Sequence, residues 1–110
     1  MRNDPALCLC LTTVAEVAEA NALAQKLIEQ RAAACVQLDA PIQSLYRWDG
    51  KLCQQSEVRL VIKTTVNAKG RVEQLLAEHH PYQVPQVIWI HAADAPADYA
   101  AWVHQQTETR

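Results

Sequence analysis

The segment from Cys35 to Thr65, CVQLDAPIQSLYRWDGKLCQQSEVRLVIKTT, constrains the fold of this chain more than any other. Two β-rich runs flank Asp49-Gly50, a dipeptide suited to a two-residue type I′ turn because both central residues there need positive φ. Ile42, Ser44, Tyr46 and Trp48 alternate with Gln43, Leu45 and Arg47. From Val58 to Lys63 the run is densely apolar, as expected of a strand buried on both faces. The pattern predicts a long central hairpin. A strand from Cys35 to Trp48 would span about 46 Å at roughly 3.3 Å per residue. A domain of this size has a diameter of about 34 Å, so the tip should overhang its own core. Leu45, Tyr46, Trp48 and Leu52 on that ribbon need cover. Either the hairpin folds over its own sheet or a second copy of the chain supplies the cover, and the second solution is the simpler.

Register adds a further expectation. A two-residue turn sets Trp48 opposite Lys51, Tyr46 opposite Cys53 and Ser44 opposite Gln55. Continued unbroken, Val36 and Leu38 would meet Lys63 and Val61, on the wrong side of the pleat from Leu60 and Ile62. One extra residue in the first strand pairs Val36 with Ile62 and Leu38 with Leu60. Pro41 cannot donate to a ladder, so a bulge or break is predicted at Asp39–Pro41.

At 110 residues the chain suits one domain over 1–110, with 1–5 and 105–110 expected to be loose ends. A formal charge of −2 without a basic cluster argues against nucleic acid. No apolar run approaches the roughly 20 residues that span a bilayer. Ala6–Leu11 leads into an expected helix cap and not a cleavage site, so no signal peptide and a cytoplasmic location are expected. Cys8, Cys10, Cys35 and Cys53 form no C-x-x-C pair and read as free thiols packed as small hydrophobes, Cys8 and Cys10 on one strand face.

In chain order, Ala6–Thr12 reads as a strand. Thr13-Val14-Ala15-Glu16 fits a capping box, and a helix follows to about Arg31 with Ala20, Leu23, Ala24, Leu27 and Ile28 as its apolar stripe. After the hairpin comes a second helix, capped at Asn67, with Val72, Leu75, Leu76 and His79 on its apolar side and Pro81 as its stop. Val87–Ile90 reads as the last strand. Asp94–Pro96 open a final helix with Tyr99, Trp102 and Val103 on one side. The order predicts an α+β, ferredoxin-like β-α-β-β-α-β sandwich, with a long central hairpin and a short C-terminal helix.

Four stretches then carry a resemblance: Ala33-Ala34-Cys35-Val36; Ser44–Lys51 with Glu57-Val58 and Ile62-Lys63-Thr64; His80-Pro81-Tyr82-Gln83-Val84-Pro85; and Asp98–Trp102. Together and in this order the chain resembles the CutA family of divalent-cation tolerance proteins, over nearly its whole length from Leu7. The resemblance implies a homotrimer with interlocking hairpins. It also implies metal binding through a cysteine at the end of the first strand and a histidine pair before Pro-Tyr. That pair is His79-His80. Thr12 stands at the cysteine position, and Cys10, two residues back on the same strand face, is the substitute candidate. Ala40-Pro41 replaces the family's Pro-Gly.

Two candidate sites follow. Imidazole with thiolate suits copper, so His79, His80 and Cys10 form a candidate copper or other divalent-metal site. The competing reading is imidazolium at a helix C-terminus. Tyr46, Arg47, Trp48, Glu57, Lys63 and Tyr82 form a candidate intersubunit cleft for a small anionic ligand or a protein partner, as in a PII-like sensing or adaptor module. The competing reading is hydrogen bonds and ion pairs between subunits. Lys63 in an apolar strand demands a partner, and Glu57 from another chain is one. No nucleophile–base arrangement, Gly-rich phosphate loop or H-x-x-x-H helix is found, so catalysis is not expected.

Overall fold

A computed structural model describes residues 6–108. Elements run in the order β1 (Leu7–Val14), α1 (Val17–Glu29), β2 (Cys35–Leu38), β3 (Ile42–Trp48), β4 (Lys51–Thr65), α2 (Lys69–His79), β5 (Ile88–His91) and α3 (Ala97–Gln106), with a 3₁₀ turn Val66–Ala68 before α2. All strand pairs are antiparallel. The sheet order is β2-β4-β1-β5, with β3 also paired to β4. This is the ferredoxin-like topology with its central hairpin drawn out and α3 appended.

The hairpin turn forms as its two residues dictate, with φ 52° at Asp49 and 73° at Gly50. Trp48 lies opposite Lys51, Tyr46 opposite Cys53 and Ser44 opposite Gln55. Across the root, Val36 meets Ile62 and Leu38 meets Leu60. Between those two registers Asp39, Ala40 and Pro41 stand against Val58 and Arg59, so the extra residue falls where the proline requires it. The break is pinned from both sides. Asp39 N–H donates to the Arg59 carbonyl at 2.9 Å, and Arg59 Nε–H donates to Asp39 Oδ2 at 2.6 Å.

Val58, Leu60 and Ile62 from β4 and Cys10 and Val14 from β1 pack against Ala20, Leu23 and Leu27 of α1 and Val72 and Leu76 of α2. α1 and α2 cover this face. Arg59, Val61 and Lys63, pointing the other way, are half-buried, so the expectation that β4 is buried on both faces does not hold within one chain. The open face also carries Ile88 and Ile90, 49% and 44% exposed. The ribbon beyond the break projects past the body. The principal extents are 52 × 26 × 23 Å and the radius of gyration is 14.9 Å, against about 13 Å for a rounded domain of this length.

Several boundaries differ from the sequence reading. Thr13 and Val14 extend β1 opposite Arg59 and Val58, so they cannot cap a helix. The cap moves to Glu16, whose N–H donates to Glu19 Oε1 at 3.1 Å. α1 ends two residues before Arg31, which takes φ 56°. Arg31 N–H then donates to the Ile28 carbonyl and Ala32 N–H to the Leu27 carbonyl, a Schellman ending with arginine in glycine's usual place. Ile28, expected in the stripe, is 42% exposed. Asn67 lies in the 3₁₀ turn, and Ala68 caps α2. The last strand is Ile88–His91, one residue later than expected. Gln105 and Gln106 belong to α3, and the Thr107 hydroxyl donates to the Val103 carbonyl at 3.0 Å. That polar stretch is therefore tied down and not loose. Residues 1–5 and 109–110 lie outside the described residues.

Candidate functional site

Where the ribbon leaves the sheet, its open-face side meets the loop between α2 and β5. The resulting cleft has a volume of about 420 Å³ and is lined by Thr13, Tyr46, Trp48, Gln55, Glu57, Tyr82, Gln83, Val84 and Gln86. Tyr46 and Trp48 reach it because alternate residues of β3 share a face, and Gln55 and Glu57 because the turn registers them onto that same face. Pro81 ends α2 and starts the loop that brings Tyr82 over the sheet.

Glu57 is the polar centre. Only 7% of its surface is exposed. Tyr82 Oη–H donates to Glu57 Oε2 at 2.7 Å. Burial alone would raise the Glu57 carboxyl. Hydrogen bonds from Ser44, Tyr82 and Thr13, with His80 nearby, outweigh burial and hold it below the usual carboxylate range. Burial, and then the bond to Glu57 and its charge, pushes the Tyr82 phenol well up, so it stays a donor. Tyr46 Oη–H donates to Gln55 Oε1 at 2.6 Å.

His80 locks the loop to β1. Strand β5 pairs with β1 only over Cys8–Leu11, which leaves the far end of β1 open. There His80 Nε2–H donates to the Thr13 carbonyl at 3.0 Å, with Thr12 Oγ1 also at 3.0 Å. Tyr82 N–H donates to His80 Nδ1 at 3.1 Å. A carbonyl only accepts and an amide N–H only donates, so the tautomer is fixed with the proton on Nε2. Burial lowers the His80 pKa, outweighing the Thr13 carbonyl, Glu19 and Glu57, which raise it. The ring is neutral at pH 7 and leaves no lone pair for a metal ion.

The structure therefore divides the candidate residues. Tyr46, Trp48, Glu57 and Tyr82 come together. Arg47 lies on the opposite ribbon face, paired with Leu52. Lys63 lines a separate cavity of about 250 Å³ with Asp94 and Tyr99. His79, His80 and Cys10 do not converge. Cys10 is fully buried in the core, and burial, with Cys8 and Glu73 nearby, pushes its thiol up to about 12. His79 is exposed, contrary to its expected apolar side. It lies at the end of the groove between α1 and α2, with Nε2 3.6 Å from Glu78 Oε2. Among the described residues no three His, Cys, Asp or Glu side chains group as a metal site would require. Thr13, Ser44, Gln55 and the loop residues Gln83, Val84 and Gln86 are missed by the sequence reading. The predicted register already sets Ser44 opposite Gln55 on the face of Tyr46, and that signal was sufficient for both.

This fold, with its drawn-out ribbon and the His-Pro-Tyr loop closing a cleft at the ribbon's root, defines a class of ferredoxin-like proteins. The chain belongs to the CutA1 divalent ion tolerance protein family, whose profile matches residues 8–106. It is 35% identical over 102 residues to the divalent-cation tolerance protein CutA of Escherichia coli, covering 93% of this chain and 91% of that one. The structure of CutA from Synechococcus elongatus matches with a TM-score of 0.90 at 36% identity, over 94% of this chain and 92% of that one. CutA1 from Oryza sativa matches with a TM-score of 0.93 at 27% identity, over 99% and 100%.

Proposed function

We propose that this chain serves divalent-cation tolerance as a cytoplasmic homotrimer that takes a divalent ion, copper foremost, at its surface through His79, and that it acts by binding and not by catalysis. The observation that carries the metal reading is the contrast within the histidine pair. His80 has both ring nitrogens engaged, whereas His79 is exposed on the last turn of α2 beside the Glu78 carboxylate. Imidazole with carboxylate is a donor set that Cu(II) accepts. One His-Glu pair is an incomplete site, and further donors come from another copy. Supporting assembly, the ribbon projects with Leu45, Trp48 and Leu52 at 63%, 54% and 75% exposure, more apolar edge than a solitary chain usually carries. Free thiols at all four cysteines accord with a reducing compartment. Within one chain neither Arg47 nor Lys63 lines the cleft, so the anion-sensing alternative needs a cation from another copy.

Calorimetric titration of Cu²⁺ into wild type, His79→Ala and His80→Ala, with light scattering on each, tests this. The expected result is a trimer whose copper heat disappears in His79→Ala and persists in His80→Ala. Unchanged binding by His79→Ala would remove the assignment.

A further inference from the structure

The helix layer carries a second concavity, on the side of the molecule away from the open sheet face and the ribbon. It is the groove of about 280 Å³ between α1 and α2. Leu23 and Leu27 of α1 and Val72 and Leu76 of α2 turn inward to the core. The polar stripes beside them therefore meet at the outer surface. Lys26 and the C-cap Gln30 stand on the α1 side, and Arg71, Gln74 and Glu78 on the α2 side. Copies that cover the open sheet face leave this groove in solvent.

Glu78 is the one acid in the lining, and its own helix occupies it. Gln74 Nε2–H donates to Glu78 Oε1 at 3.1 Å, and the His79 ring lies 3.6 Å from Oε2. Lys26 and Arg71 are in no ion pair among the described residues, where the pairs join Arg59 to Asp39, His79 to Glu78 and His104 to Glu108. Arg71 is already held in place. Its Nη2–H groups donate to the Arg31 carbonyl at 3.0 Å and the Thr107 carbonyl at 2.6 Å. Carbonyls orient a guanidinium without neutralising it. The Arg71 Nε–H is buried and meets no acceptor among the described residues, an unmet donor of a kind that native folds seldom leave.

These walls narrow the choice of ligand. Two permanent cations on facing helices select an anion, and a guanidinium already oriented loses little freedom in binding one. Donors come from both sides, Lys26 and Gln30 from one and Arg71 from the other. An anion with acceptor oxygens on several sides meets them better than a flat carboxylate with two. A phosphate group has that form, and arginine matches it. At about 280 Å³ the groove lies just below the usual range of small-molecule sites, roughly 300–1,000 Å³. No Phe, Tyr or Trp among the described residues lines it, so a nucleobase would find no ring on which to stack. We infer that the groove between α1 and α2 binds a phosphate group, free or borne by a small metabolite that is not a nucleotide, its oxygens between Lys26 and Arg71. The site needs no metal ion and stands whether or not His79 takes copper.

Calorimetric titration of glycerol phosphate and of inorganic phosphate into the full-length protein, at constant ionic strength and with a chelator present, is the test. Saturable binding is expected, about tenfold weaker in Lys26→Gln and absent in Lys26→Glu. Arg71→Gln should abolish it too. Arg71 also holds the ends of α1 and α3, so the Lys26 variants decide the matter if Arg71→Gln does not fold. Tighter binding of glycerol phosphate than of inorganic phosphate identifies an ester as the ligand, and the reverse identifies the free ion; both uphold the phosphate site. Succinate, which offers only carboxylates, should bind more weakly than either. Unchanged affinity in Lys26→Glu, succinate binding as tightly as the phosphates, binding seen only without chelator, or no saturable response at millimolar phosphate would each overturn the assignment.

Discussion

Leu45 and Leu52 lie on the ribbon face opposite the cleft, 63% and 75% exposed. Leu45 pairs with Gln54 and Leu52 with Arg47, so the two leucines are diagonal neighbours on adjacent strands. Fully burying a leucine contributes about 1.5–3 kcal/mol, so covering the exposed parts of both contributes about 2–4 kcal/mol per subunit and about 6–12 kcal/mol in the proposed trimer. A Leu45→Ser/Leu52→Ser variant forfeits that contribution while touching nothing in the core. Each 1.4 kcal/mol is about tenfold in an equilibrium constant. The variant should therefore dissociate at concentrations several orders of magnitude above those at which wild type does. Light scattering over a dilution series reads this directly, and circular dichroism checks that the dissociated chain keeps its secondary structure. If the variant and wild type dissociate together, or wild type is already monomeric at micromolar concentration, the ribbon is not what holds copies together.

Three further outcomes follow from the same geometry. Acidification should destabilise the protein in two stages. His80 is less basic when folded, so the unfolded chain takes up the proton first as pH falls below the ordinary 6.5, with a slope of at most about 1.4 kcal/mol per pH unit. Glu57, depressed in the folded state, adds its loss as pH falls below 4.5 and through its folded value. Urea midpoints across pH would show this, and His80→Gln should remove the first stage alone. Leu60→Ala, at a fully buried position, should cost about 2–5 kcal/mol in denaturant unfolding, whereas half-buried Val61→Ala should cost clearly less. Iodoacetamide should modify Cys53 well before Cys10 in the native protein, because Cys10 is inaccessible and its thiol is pushed up to about 12; mass mapping of labelled peptides reads the order.

The hairpin was legible because its determinants are local. Asp49-Gly50 fixes the turn, strand periodicity fixes the faces, and Pro41 marks where the two must disagree. What escaped was decided at a distance. Thr13 has the chemistry of a helix cap, but pairing with Arg59 across the sheet claims it for β1. His80 reads as a metal ligand until the Thr13 carbonyl, 67 residues away in sequence, accepts a hydrogen bond from its Nε2–H. Glu57 and Tyr82 were both singled out, but their direct bond depends on how the loop after Pro81 folds back, which no local pattern encodes. The anionic reading of the cleft needs a cation from another copy, because Arg47 alternates away from Tyr46 and Lys63 lies six residues up the strand from Glu57.

The extra residue at Asp39–Pro41 has a consequence for how this protein can vary. Val36 and Leu38 before it and Ser44, Tyr46 and Trp48 after it are all even-numbered, yet the former point into the helix-covered interior and the latter away from it. Folding therefore polices one half of the run and ignores the other. Exchanging Tyr46 or Trp48 leaves the interior of the chain untouched, whereas exchanging Val36 or Leu38 is felt at once beneath the helices.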